Sequence, residues 1–280
     1  MMSPRCDTSH EVSGWEYDVG GFDGVDARYV ELFAAAQRVL GSDVRVLSVA
    51  AGGSIASGTA DRWSDLDLVV VATEDGFDSL VTDWPSWLAA ITPTVFARTP
   101  IAPSLINTVT TDGLAFDIAI HKGSVFDFAR PSGWFAGGLH HSSLDAALEY
   151  SVAELLRGLC GPFISLVERG EHLRHVTTGL PHLLGLLTTV FLAELDAPMP
   201  AKLWSDVYTD DQLAAVDALP AISTTRESVI AFGLALGELM LTRARPEFAR
   251  RDLRWPSEFA ATTARRVRLA LDIDCSAWLF

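Results

Sequence analysis

The run Leu66-Asp67-Leu68-Val69-Val70-Val71-Ala72, entered from Asp65, constrains this chain more than any other feature. The unbroken apolar residues Leu68–Ala72, with three valines at their centre, read as a buried strand. Residues at i and i+2 of a strand share a face, so Asp65 and Asp67 point the same way, about 7 Å apart at the backbone. Leu66 and Leu68 point into the core. Two ionised carboxylates on one face raise each other's pKa unless a cation sits on them. A hard divalent ion, typically Mg²⁺, is the natural neutraliser, and it usually shares its shell with substrate phosphates. The plainer alternative is a turn-capping pair of aspartates bound to Arg62.

Gly52, Gly53 and Ser54 come just before a short helix through Ile55 and Ala56. Glycine lets the backbone approach a ligand, and exposed N–H groups at a helix start favour phosphate. Ser54 adds a hydroxyl donor. Downstream, Asp117 stands alone in the apolar run "LAFDIAIH", between Phe116 and Ile118. If that strand lies beside residues 66–72, three carboxylates meet on one surface. Three acids can hold two metal ions about 3.5–4 Å apart, which suits an in-line phosphoryl displacement. A structural carboxylate bonded to backbone amides is the plainer reading of Asp117.

Gly53-Ser54, a ten-residue spacer, Asp65-Leu66-Asp67 and the isolated Asp117 together resemble the nucleotidyltransferase superfamily of DNA polymerase β. The resemblance spans residues 44–122. It implies that Ser54, with Gly52 and Gly53, binds the phosphates of ATP or another nucleoside triphosphate. It further implies that Asp65 and Asp67 ligate Mg²⁺, as a pair of ions, and that Asp117 completes the site as ligand, base or both. An α/β unit followed by helices is similar to the antibiotic nucleotidyltransferases, which adenylylate aminoglycosides or lincosamides. On that likeness Lys202, in "LAELDAPMPAKLWSDVY", meets the triphosphate, and Glu149 borders the acceptor cleft as a contact or second base.

The rest of the chain orders around these motifs. Tyr29, Leu32, Phe33, Ala36 and Leu40 fall at helical spacing, with Gly41 as the stop. "VRVLSVA" (44–50) reads as a buried strand, 76–91 as a helix irregular at Pro85, and 94–98 and 104–122 as strands, with Asp112-Gly113 at a hairpin tip. These elements make an α/β unit with a mixed sheet. Around residues 131–141 the texture turns rich in Gly and Ser, a linker candidate. Ser142 and Asp145 match a capping box ahead of the stripe Leu144, Leu148, Val152, Leu155 and Leu159. Helices are expected over 163–176, 179–195, 210–218, 224–243 and 257–271. The expected organisation is a nucleotidyltransferase domain over 1–135 and an all-α, acceptor-binding domain over 136–280.

Composition narrows the function classes. With 21 basic and 36 acidic residues the net charge is −15. Nucleic-acid backbones need clustered Lys and Arg, so a nucleic-acid partner is disfavoured and a cationic small molecule is favoured. Cys6, Cys160 and Cys275 form no CxxC pair, which fits free thiols in a cytoplasmic protein. The apolar stretch 179–195 is short for a membrane span. The expected reaction is transfer of AMP, or another nucleoside monophosphate, to a hydroxyl of an aminoglycoside-type acceptor, releasing pyrophosphate. Two alternatives share the fold: transfer of AMP to a protein side chain, and non-catalytic sensing of a nucleotide.

Overall fold

The computed structural model describes residues 22–99, 104–123, 143–197 and 207–279. Helix α1 (Ala27–Gly41) begins at Asp26, whose carboxylate accepts from the Arg28 N–H, and it buries Tyr29, Leu32, Phe33, Ala36 and Leu40. Those are the five positions that the helical spacing selects. There follow β1 (Val46–Ala51), α2 (Gly53–Ala56), β2 (Leu66–Ala72), α3 (Phe77–Thr82), α4 (Trp84–Ile91), β3 (Thr94–Arg98), β4 (Leu105–Thr110) and β5 (Ala115–Lys122).

The sheet order is β1-β2-β5-β4-β3. Only β2 and β5 run parallel; every other neighbouring pair is antiparallel. The five strands therefore make a mixed sheet. Strand β2 is buried throughout except at Asp67. At the β4–β5 turn, Gly113 takes φ +87, and its N–H donates to the Thr110 carbonyl at 3.0 Å. A side chain is disfavoured in that left-handed conformation, which is why the tip of the hairpin carries glycine.

The second half is helical: α5 (Leu144–Cys160), α6 (Pro162–Glu168), α7 (His172–Arg174), a π-helical turn (His175–Gly179), α8 (Leu180–Glu194), α9 (Asp210–Asp217), α10 (Arg226–Arg250) and α11 (Ser257–Leu271). Leu148, Val152, Leu155 and Leu159 of α5 are fully buried and centre one apolar cluster. A second cluster lies between the sheet and helices α1, α3 and α4. Val109 and Ala115 of the sheet belong to the helical cluster, so the helices close over one end of the sheet's other face.

Several expectations change. Val44 is exposed, and β1 is an edge strand in which only Val49 is buried, because it pairs on one side alone. The helix over 76–91 divides at Asp83, with Pro85 in the first turn of α4, where its missing N–H costs little. Ser143 caps α5, accepting from the Ala146 N–H at 3.1 Å; Ser142 lies outside the described residues, as does the linker candidate. The helix over 163–176 breaks after Glu168, at Gly170 with φ +72. Helix α10 runs through Pro246 to Arg250, since Ala244, Glu247 and Phe248 continue its buried face. Leu144–Glu168 and His172–Glu194 are long and apolar enough to span a membrane by length and composition; here both pack in the helical core.

Candidate active site

The turn after β1 is shaped around Asp67. The Gly52 N–H donates to the Asp67 carbonyl at 2.7 Å. Gly53 sits at φ +54, and a Cβ there would lie 1.9 Å from Asp67 Oδ2. Only glycine brings the backbone this close to the carboxylate. Ser54 follows in α2, and its hydroxyl has no hydrogen-bond partner among the described residues.

Asp65 is delivered by a clamped loop. Asp61 accepts from the Trp63 N–H at 2.9 Å, while Arg169, beyond α6, grips both Asp61 oxygens at 2.8 and 2.6 Å. That guanidinium holds the Asp61 carboxyl down at about 2. Asp65 then stands immediately before β2, in the wall of a cavity. It keeps open surface, yet protein encloses it on most sides, and this enclosure raises its pKa. Arg62 is not its partner: Arg62 stacks on the Trp63 ring at 4.6 Å and faces Glu168 at 4.0 Å.

The sheet register brings the third acid into place. Asp67 on β2 is directly opposite Asp117 on the parallel strand β5. Asn107 on β4 is opposite Asp117, and Arg98 on β3 is opposite Asn107. A polar row thus crosses four strands of an otherwise apolar sheet. Burial, then repulsion from Asp65 and Asp117, pushes Asp67 up to about 7. Burial also pushes Asp117 up to about 6, against Arg157 and the Asn107 hydrogen bond, which favour its charged form.

The helical half supplies charges that sequence patterns do not single out. Glu154 of α5 is buried and binds Arg98, while Arg157 grips it through Nε at 3.2 Å and Nη2 at 2.9 Å. His182 of α8 approaches the same carboxylate at 3.6 Å. Burial opposes the charge of Glu154, but these partners prevail and hold it below the usual carboxylate range. Arg157 in turn feels Asp117 and Asp65. Helical spacing alone puts Glu154 and Arg157 on a solvated face, because their partners come from distant elements. Glu149, the acid singled out on α5, is exposed. Lys202 lies outside the described residues.

Among the described residues, no three His, Cys, Asp or Glu side chains already form a metal-holding group. The chemistry of the donor set nonetheless fits a hard divalent cation. Asp65, Asp67 and Asp117 offer only carboxylate oxygens, and burial biases all three toward their neutral forms, a bias that a bound cation would reverse.

Residues 36–98 match the family described as the nucleotidyltransferase domain, a span containing Gly52, Gly53, Ser54, Asp65 and Asp67 and ending before Asp117. No curated protein sequence matches the chain. Among solved structures, an aminoglycoside 6-adenyltransferase from Bacillus subtilis aligns over 85% of this chain and 95% of its own, with 10% identity and a TM-score of 0.34. The strand and turn that hold Asp65, Asp67 and Ser54 thus lie within the stretch that is similar to the nucleotidyltransferase domain family.

Proposed function

We propose that this protein is a cytoplasmic, Mg²⁺-dependent nucleotidyltransferase that moves AMP from ATP onto a hydroxyl of a small molecule and releases pyrophosphate. The observation that carries the reading is the register of Asp67 against Asp117, with the Gly53 backbone packed on Asp67. Asp65, Asp67 and Asp117 would hold the metal, which would supply neutralising charge for the acids and the triphosphate. Ser54 and the Gly52–Gly53 backbone orient the leaving pyrophosphate, and Lys202 joins them on the phosphates. Asp117 receives the proton of the acceptor hydroxyl. The hydroxyl oxygen forms its bond to the α-phosphorus as the bond to the β-phosphate oxygen breaks.

In this reading, residues 1–135 perform the transfer and 136–280 contribute the acceptor side, with Glu149 at its margin. The net charge of −15 supports a cationic acceptor of the aminoglycoside type and disfavours nucleic acid. Incubation with ATP and Mg²⁺ across aminoglycosides, lincosamides and proteins tests it, with pyrophosphate release as the readout. Release with one small-molecule class identifies the acceptor. Release only with proteins would replace the small-molecule reading, and nucleotide binding without release under every acceptor would replace transfer by sensing.

A further inference from the structure

A cavity of about 200 Å³ adjoins Asp65, between the β4–β5 turn and the helical half. Arg169, Arg174 and Arg266 line it, together with Trp63 and Tyr29. Arg169 is bound on both oxygens by Asp61. The other two guanidiniums are not neutralised in that way. Arg174 makes no side-chain hydrogen bond or ion pair among the described residues, and the buried Nε of Arg266 has no hydrogen-bond partner there. Asp26, which feels Arg266 through space, is already held by Arg28.

Guanidinium forks match the oxygens of phosphate and stay charged at any physiological pH. Drug-sized ligands occupy pockets of about 300–1,000 Å³, so this smaller cavity suits a compact group. Its arginines oppose a polycation, and its volume excludes a whole nucleotide. We infer that the cavity is a binding site for a compact phosphate-class anion, gripped by Arg174 and Arg266. Two sources share this chemistry: free inorganic phosphate, and pyrophosphate released next door at the acid cluster. The site does not depend on the proposed transfer, because an anion can be tested there without nucleotide or metal.

Calorimetric titration of the full chain with inorganic phosphate, then with pyrophosphate, at constant ionic strength and without nucleotide or metal, tests the inference. Saturable binding is expected for at least one of the two anions. Arg174→Gln and Arg266→Gln should each weaken it about tenfold, the loss of one charge-assisted contact. Pyrophosphate binding at least about tenfold tighter than phosphate assigns the site to the leaving group; comparable affinities assign it to free phosphate. Absence of saturable binding of either anion to the wild type, or unchanged affinity in the R174Q/R266Q double variant, overturns the site. If circular dichroism shows that R266Q fails to fold, R174Q decides alone, since Arg174 is exposed on the three-residue helix α7.

Discussion

Replacing Gly53 by alanine tests whether the turn before the acid-bearing strand is shaped around Asp67. Two separable penalties follow from the geometry. At φ +54 an L-residue pays about 1–2 kcal/mol for the left-handed backbone. In addition, the new Cβ would stand 1.9 Å from Asp67 Oδ2 and 3.0 Å from its Cγ, so the carboxylate must move aside. Gly58 is an internal control: it sits at φ +67, and a Cβ added there would meet nothing within 4 Å. Both alanine variants should lower Tm by about 2–8 °C, from the backbone cost in a chain of this size. Only Gly53→Ala should also weaken binding of Mg²⁺ with a nucleoside triphosphate, by about 10–100-fold, as when a group supporting a metal ligand is disturbed. Differential scanning fluorimetry and calorimetry read the two effects. Wild-type nucleotide binding in Gly53→Ala, or equal binding losses in the two variants, would refute the reasoning.

Asp67→Asn should abolish pyrophosphate release yet stabilise the metal-free protein at about pH 8, because it removes a buried charge repelled by Asp65 and Asp117; activity and urea unfolding in chelator check both halves. The same acids set a pH trend. Raised folded-state values of about 7 and 6 mean that the native state binds more protons than the unfolded chain above about pH 4. Their contribution is therefore present at low pH and lost as pH rises through about 6 and 7, so the stability gap between wild type and Asp67→Asn should widen over that range. Glu154→Ala strands Arg98 and Arg157 in a buried setting and should cost about 3–5 kcal/mol by urea denaturation, against a much smaller loss for Glu149→Ala on the exposed side of the same helix. Gly233→Ala would place a methyl 2.3 Å from the Phe163 ring and should destabilise by about 1–3 kcal/mol, with nucleotide binding retained.

Much of the fold was legible in residue order because its signals are local. The five buried positions of α1, the leucine stripe of α5 and the span of α11 follow from a 3.6-residue period that needs no distant partner. The strand repeat also gives the buried run Leu68–Ala72 with Asp67 as its one less buried position, whereas Asp65 falls just before the strand, where that repeat no longer sets its direction. Misreadings fall where packing outweighs local preference. Helix α10 continues through Pro246 because its buried face continues, and β1 takes the sheet edge although its residues suit a central strand.

The sequence by itself determined that a glycine-serine turn would precede an acid-bearing strand, with Asp67 on that strand, Asp65 at its mouth and a third acid on a later strand. Tertiary structure alone decided that β5 returns beside β2, across two helices and two strands, in the register that sets Asp117 against Asp67. It also decided that Arg169 clamps the loop before Asp65, that Glu154 and Arg157 come from α5, and that Arg62 turns away to Trp63. Periodicity fixes which way a side chain points from its own element. Which element it then meets depends on strand pairing and on charges far apart in the chain, such as Asp61 and Arg169, and no spacing encodes either.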